Sequence, residues 1–267
     1  MKNIHVMIQQ LKVKKNILPV EEINKRINFL KDYLLNHTEI QTLVIGISGG
    51  QDSTLSGKLC QLAINKINNT LAIKKYKCIA IRLPYGIQSD ENDCKTAINF
   101  INPNQTISID IKKIVCTTIN SLLKNNIILS ESDKGNLKSR IRMQIIYSIA
   151  AQNKGIVVGT SNANEIITGF FTKHGDGASD INPIRSLNKR QGKILLKTLN
   201  CPQQLYLKDP IAGLEDNAPY KTDEEILGIS YETIDNFLEG RTIPNNEIEK
   251  IKYWYYKNNH KRLYPFI

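Results

Sequence analysis

What this 267-residue chain lacks narrows its class before any motif is read. No apolar run approaches the roughly 18 residues that span a bilayer. The first residues, MKNIHVMIQQLKVKK, mix charge and amide where a signal peptide carries its apolar stretch, so a cytoplasmic protein with no membrane partner is expected. Cysteine is sparse: Cys60, Cys78, Cys94, Cys116 and Cys201 are five, an odd number with no CxxC, which argues against a disulfide framework and a zinc site. Most are expected to be buried as small hydrophobes. No internal repeat, low-complexity linker or composition break divides the chain. The net charge, 36 − 25 = +11, is spread through every segment, and no basic stripe with interleaved aromatics occurs before Tyr253 to Tyr256, so nucleic acid is not an expected partner. With 41% hydrophobic residues, the length suits one α/β domain.

What is present centres on Gln41 to Lys58, QTLVIGISGGQDSTLSGK. Thr42 to Ile47 is an apolar, β-branched run of strand length that stops at Gly46, Ser48, Gly49 and Gly50. Asp52, Ser53 and Thr54 then precede Leu55, Leu59, Leu62 and Ala63, whose spacing predicts a helix. A strand, a glycine turn and a helix start make an anion site, because bare N–H groups point outward and the helix dipole adds roughly +0.5 charge. Spacing excludes the Walker A loop and the dinucleotide fingerprint. What remains is Ser48-Gly49-Gly50-Gln51-Asp52-Ser53, which resembles the SGGxDS loop of the N-type ATP pyrophosphatases. A carboxylate aimed at a triphosphate repels it unless a cation lies between, so Mg²⁺ is expected at Asp52. The plainer reading is that Asp52 only caps the helix.

Around this segment the chain alternates strands and helices. Residues 1–40 read as two helices, one with Ile4, Met7, Ile8 and Leu11 on its apolar stripe, the other opening at Pro19 and carrying Ile23, Ile27, Leu30 and Leu34. They are expected to cover a sheet edge or form a subunit interface. Strands are predicted at Lys77 to Leu83, Gln105 to Ile109 and Gly155 to Gly159, with helices between. Residues 41–208 are thus read as a doubly wound parallel sheet with flanking helices and ligands at the strands' carboxyl ends, and 209–267 as a helical C-terminal part. In that part a capping-box start at Thr222 and an amphipathic helix from Ile243 to Asn259 are expected.

Two further blocks carry chemistry. Lys134 to Met143, KGNLKSRIRM, is read as opening a helix after Gly135, with Ile141, Ile145 and Ile149 as a buried stripe and Lys138, Arg140 and Arg142 beside it. Arg140 is the preferred partner for phosphate or carboxylate. Gly159 to Pro183, GTSNANEIITGFFTKHGDGASDINP, leaves a strand and at once exposes Thr160, Ser161, Asn162, Asn164 and Glu165. Glu165 could be a second carboxylate for the cation at Asp52, or an ordinary first-turn acid. The loop Lys173-His174-Gly175-Asp176-Gly177-Ala178-Ser179-Asp180 suits closure over a ligand, with Lys173 and Asp180 as contacts, Asp176 handling a proton and His174 as a surface residue. Lys189, at the start of a further helix, could meet phosphate.

Taken together, GISGGQDSTL, RLPYGIQSDENDC, KGNLKSRIRM, VVGTSNANEIITGFFTKHGDGASDINP, LNKRQGK, LEDNAP and NNHKR resemble the ammonia-dependent NAD synthetases from about Gln41 to Arg262. The resemblance implies an adenine nucleotide alpha hydrolase-like fold and an enzyme that adenylates the nicotinate carboxylate of deamido-NAD with MgATP, then lets ammonia displace AMP. Carried over by motif, Gly46, Ile47, Ser48, Gly49, Gly50, Gln51, Asp52 and Ser53 would hold ATP with Thr160 and Lys189, and Asp52 with Glu165 would ligate Mg²⁺. Arg140, Lys173, Asp180, His260 and Lys261 would meet deamido-NAD, while Ser48, Asp176 and Lys173 would serve catalysis. Ile211 departs from the pattern, since the family carries an ATP-contacting Thr there. The resemblance also implies a homodimer, and the chain's length leaves no room for a glutamine-hydrolysing domain, so free ammonia is the expected donor. Two rivals are carried: a tRNA-modifying or thiolating enzyme of the same group, and a nucleotide sensor with a dead site.

Overall fold

The computed structural model describes residues 2–87, 91–207 and 222–262. In chain order its helices and strands are α1 (Lys2–Leu11), α2 (Pro19–Asn36), β1 (Thr42–Gly46), α3 (Gln51–Leu71), β2 (Lys77–Arg82), α4 (Glu91–Ile101), β3 (Gln105–Ser108), α5 (Lys112–Leu123), α6 (Glu131–Gln152), β4 (Gly155–Val157), α7 (Ala163–Thr168), α8 (Lys189–Thr198), α9 (Gln204–Leu207), α10 (Asp223–Leu227), α11 (Tyr231–Leu238) and α12 (Asn245–Lys257). A short 3₁₀ turn, Asn259–Lys261, follows α12.

The four strands are parallel, in the order β3-β2-β1-β4. Thr42 of β1 stands opposite Lys77 on one side and Gly155 on the other. The period-2 alternation of a strand sends Leu43 and Ile45 into one core and Val44 into another. Both faces are covered, which is why these strands read as unbroken apolar runs. On the first face Leu43, Ile45 and Cys78 pack with the buried stripes of α2, α3 and α8. On the second, Val44, Ile79 and Ile81 pack with Val115 of α5 and Ile141 of α6. A third cluster joins Ile166 and Ile167 of α7 to Ile234, Phe237 and Leu238 of α11 and Ile251 of α12.

After β3 the chain crosses back past β2 and β1 to lay down β4 on the far side of β1. The strand order reverses between β1 and β4, so the loops that leave these two strands face each other across a crevice.

Several boundaries differ from the expectations. α6 opens at Glu131, not after Gly135, because Ser130 caps it by accepting from the Asp133 N–H at 3.1 Å. Of its expected stripe only Ile141 is buried, while Ile145 and Ile149 are half-buried and line a surface groove with Ile107, Ile109 and Ile114. One face of α2 packs into the main core: Ile23, Ile27, Leu30 and Leu34 lie there, and its buried Arg26 pairs with Glu22 and donates to Ser186 Oγ at 3.1 Å. In α1, Leu11 is buried and Ile8 half-buried, while Ile4 and Met7 fall outside the described side chains. The last predicted strand is shorter than expected, with Val158 making only an isolated bridge to Ile181. Cys60, Cys78, Cys94 and Cys201 are buried free thiols and Cys116 is partly exposed, in line with the reading of most cysteines as core residues. Among the described residues no helix is long and apolar enough to cross a membrane.

Candidate functional site at the β1 and β4 crevice

β1 ends at Gly46 and the chain turns through Ile47 to Gly50 into α3. The turn is held by its own serines: Ser48 N–H donates to Ser53 Oγ at 3.2 Å, Gly50 N–H donates to Ser48 Oγ at 3.3 Å, and Thr54 Oγ1 donates to the Gly50 carbonyl at 2.7 Å. Gly49 adopts φ +84°, and a Cβ there would stand 2.8 Å from the Cys94 backbone nitrogen. Only glycine lets the start of α4 pack this closely on the turn. No side chain caps α3 at Gly50.

Asp52 sits in the first turn of α3 and Glu165 in the first turn of α7. Asn162 caps α7, accepting from the Asn164 and Glu165 N–H groups at 2.8 and 3.1 Å, and its own amide donates to Glu165 Oε1 at 2.9 Å. Lys189, first residue of α8, reaches between the two acids, with Nζ 2.6 Å from Asp52 Oδ2 and 3.5 Å from Glu165 Oε1. The ammonium also lies 5.0 Å from the centre of the Tyr231 ring, whose hydroxyl donates to Asp223 Oδ2 at 2.7 Å. Asp223 Oδ1 is buried without a hydrogen-bond partner among the described residues.

The charge balance of this cluster is unequal: three carboxylates face one ammonium. Burial, reinforced by Asp52, Asp176 and Asp223 and only partly opposed by Lys189, pushes the Glu165 carboxyl up to about 8. Burial also raises Asp223 above the usual carboxylate range. Burial works against the Lys189 charge as well, but Asp52 and Glu165 outweigh it and hold its pKa above the ordinary lysine range. The crevice is therefore short of positive charge. The pair Asp52 and Glu165 already shares one cationic centre, so its spacing suits a cation, and Asp223 Oδ1 is an unused acceptor beside it. Among the described residues no three acidic, His or Cys side chains close into a metal cage. Two facing carboxylates suit a hard ion, which takes one or two of them and fills its shell with water and phosphate oxygens.

A second cluster adjoins the first. Asp176 Oδ1 accepts from Ser139 Oγ at 2.6 Å and from the Thr172 N–H at 3.0 Å. Lys173 Nζ donates to the His260 carbonyl at 2.9 Å, and Arg140 Nε donates to the Lys173 carbonyl at 3.2 Å. Lys261 Nζ donates to the Gly169 and Phe171 carbonyls at 2.8 and 2.7 Å, closing the C-terminal end of α7. Arg140, Lys173, Asp176, His260 and Lys261 are thus brought together, and His174 is exposed as expected.

Other expected residues also hold the surrounding structure. Asp180 Oδ2 accepts from the Val157 N–H at 2.7 Å, and its Oδ1 accepts from Tyr147 Oη at 3.2 Å, so it pins the loop to β4. Gln51 Nε2 donates to the Lys189 carbonyl at 2.9 Å, over Gly192, where a Cβ would come within 2.8 Å of that nitrogen. Lys138 and Arg142 turn away from the Lys173 loop, Lys138 to the Tyr85 ring and Arg142 to the Leu83 carbonyl. Thr160 is half-buried in the loop leaving β4. Ser48 belongs to the α3 turn and Asp176 to the second cluster, and Ile211 lies outside the described residues. Asp223 and Tyr231 were missed: Asp223 reads in sequence only as the first residue after a helix cap, and nothing local announces Tyr231.

The NAD synthase family model matches residues 22–265. The NH(3)-dependent NAD(+) synthetase of Buchnera aphidicola subsp. Schizaphis graminum is 53% identical over 256 residues, 96% of each chain. That of Pectobacterium atrosepticum is 51% identical over 259 residues, 97% of this chain and 94% of its own. Among solved structures, NAD+ synthetase from Burkholderia pseudomallei superposes with a TM-score of 0.83 at 32% identity, covering 98% of this chain and 97% of that one. NMN synthetase from Francisella tularensis gives 0.82 at 32% identity, covering 94% and 99%. Matched by the family model from residue 22 to 265 and about half identical over nearly its whole length to these synthetases, the chain belongs to the NAD synthase family.

Proposed function

We infer that this chain is an ammonia-dependent NAD synthetase, a ligase that forms a C–N bond in the last step of NAD biosynthesis. It converts deamido-NAD, ATP and ammonia into NAD, AMP and pyrophosphate through an adenylated nicotinate. The observation that carries this reading is the meeting of the uncapped α3 start with Asp52, Glu165 and Lys189 at the β1 and β4 crevice, in a chain about half identical to NH(3)-dependent NAD(+) synthetases.

The chemistry follows from what a carboxylate needs. Its carbon is a poor electrophile until one oxygen becomes a good leaving group, so the nicotinate oxygen attacks the α-phosphorus and pyrophosphate departs. Ammonia then bonds to the acyl carbon, the C–O bond to AMP breaks, and the nitrogen gives up a proton. The turn from Gly46 to Ser53 binds the triphosphate, with Thr160 beside it. Asp52 and Glu165 would hold Mg²⁺, which when bound offsets phosphate charge at the reacting centre. Lys189 supplies a fixed positive charge where charge builds on the phosphate oxygens. Arg140, Lys173, Asp180, His260 and Lys261 form the deamido-NAD side. Asp176, held by Ser139 and Thr172, would take the proton from nitrogen, with Ser48 near the ammonia.

A cytoplasmic homodimer completes the reading. The groove lined by Ile107 of β3, Ile109 after it, Ile114 of α5, and Ile145 and Ile149 of α6 flanks Tyr147, which bonds Asp180, so a second copy seated there would put the subunit boundary beside the dinucleotide. The thiolating alternative needs a reactive thiol near the ATP turn. The cysteine that meets the turn, Cys94, is instead buried with its Sγ donating to the Ile47 carbonyl at 3.4 Å, and burial pushes Cys78 up to about 12 and Cys60 well above the ordinary thiol range.

Product analysis tests the proposal. Incubated with MgATP, deamido-NAD and an ammonium salt, the protein should yield NAD, AMP and pyrophosphate in equal amounts and elute as a dimer. ADP and phosphate, or equal turnover with glutamine, would overturn it. Because one solved neighbour is an NMN synthetase, nicotinate mononucleotide belongs in a parallel reaction, and preference for it would change the substrate assigned.

A further inference from the structure

The start of α8 is closed by a residue from a helix remote in sequence. Asp235 of α11 is 3% exposed, and its Oδ2 accepts from the Arg190 N–H at 3.0 Å. Its Oδ1 accepts from the Lys189 N–H at 3.2 Å and from Asn164 Nδ2 at 2.7 Å. Asn164 Oδ1 in turn accepts from the same Lys189 N–H at 3.2 Å, which makes a three-residue knot. Asn164 immediately precedes Glu165. One buried carboxylate therefore ties the first turn of α7, which carries Glu165, to the first turn of α8, which carries Lys189.

We propose that Asp235 is the positioning residue of the nucleotide site: it fixes Glu165 and Lys189 relative to each other so that their 3.5 Å approach, with Asp52 on the other side of the ammonium, is maintained. This rests on the reading of these three side chains as the metal and phosphate contacts. A neighbouring acid offers the contrast. Glu239, the residue that ends α11, accepts from Asn188 Nδ2 at 2.8 Å and pairs with Arg190 at 3.0 Å and Arg241 at 2.6 Å, with no hydrogen bond or ion pair to Asn164 or Lys189 among the described residues. Both acids anchor α11 on α8, but only Asp235 reaches the two residues behind the site. A purely structural anchor would lower the folded fraction and leave each folded molecule's substrate affinity intact. A positioning residue changes the affinity itself.

The test compares Asp235→Asn with Glu239→Gln. The Asn side chain keeps the shape but turns one acceptor into a donor facing an N–H, so the knot loses charge-assisted bonds. The KM for MgATP should rise roughly tenfold in Asp235→Asn, and the rise in melting temperature on adding MgATP should shrink, while the KM for deamido-NAD holds within about twofold. Glu239→Gln should lose melting temperature and keep the wild-type KM for MgATP. Should Asp235→Asn fail to fold, Asn164→Ala removes the same link from the α7 side and is expected to raise the KM for MgATP in the same way. An unchanged MgATP affinity in the folded variant, or equal changes in the Asp235 and Glu239 variants, would overturn the proposal. Absence of a MgATP-induced shift in the wild-type protein would instead strike at the nucleotide site.

Discussion

Helices α3 and α8 begin side by side, joined through Gln51 and the Lys189 carbonyl, and their first turns are finished in opposite ways. α3 opens on Gly50 with no side-chain cap. α8 opens on Asn188 with a full capping box, and Asp235 takes the next two N–H groups. Both starts carry the same dipole and the same orphan donors. Only the first is left for an anion from outside, and the second is saturated by the protein's own carboxylate. What α8 contributes to the crevice is the Lys189 side chain, projected from a rigid turn. The comparison teaches that helix direction alone does not make a phosphate site, and that the donors must also be unspent.

The largest expected effect comes from deforming the open start. In Gly49→Ala the new methyl meets backbone rather than a side-chain tip, at a φ that costs an L residue on the order of 1–2 kcal/mol before any clash. The KM for MgATP should rise roughly 10- to 100-fold, and a variant with normal MgATP kinetics would show that the turn does not hold the phosphates.

A second measurement sharpens the charge imbalance between the two starts. Glu165 titrates near 4.5 when unfolded and at about 8 when folded, because burial disfavours its charge. The folded state then holds this proton more tightly, so the contribution of Glu165 to stability is present below pH 4.5 and lost as pH rises towards 8. A ligand that brings a cation to the ionised carboxylate offsets that loss. The increase in melting temperature produced by MgATP should therefore grow across this interval and flatten in Glu165→Gln, as a fluorescence melt at several pH values would record.

The smallest effect belongs to the closed start. Asn188→Ala removes the Gln191 cap but leaves the Lys189 and Arg190 N–H groups on Asp235. Denaturant unfolding should show a loss of about 1 kcal/mol, with the KM for MgATP held within about twofold. A large rise in KM would mean that the cap, rather than the α11 acid, sets the Lys189 geometry.

The legibility of these features follows their physical range. The β1 strand, the glycine turn and α3 were plain in QTLVIGISGGQDSTLSGK because strand alternation, positive φ and helix spacing are decided by neighbours within a few residues. The pairing of Asp52 with Glu165 was anticipated from the rule that sheet ligands gather at strand ends, and the strand order brought both acids onto Lys189. Asp235 was invisible, since an acid in YETIDNFLEG at helical spacing looks like any solvated position. What α2 would pack on was not legible, because its stripe of Ile23, Ile27, Leu30 and Leu34 carries no mark of which surface it will meet.

By itself the sequence determined that a parallel sheet would form, where its glycine turn would lie, and which side chains could gather near it, because each of these depends on local backbone preference and side-chain chemistry. Tertiary structure alone decided that β4 would return beside β1, that Lys189 would stand between Asp52 and Glu165, and that a carboxylate more than forty residues downstream would seal α8. Those outcomes require segments distant in the chain to compete for the same buried donors, and burial, which raises the cost of any unpaired polar group, selects the winner.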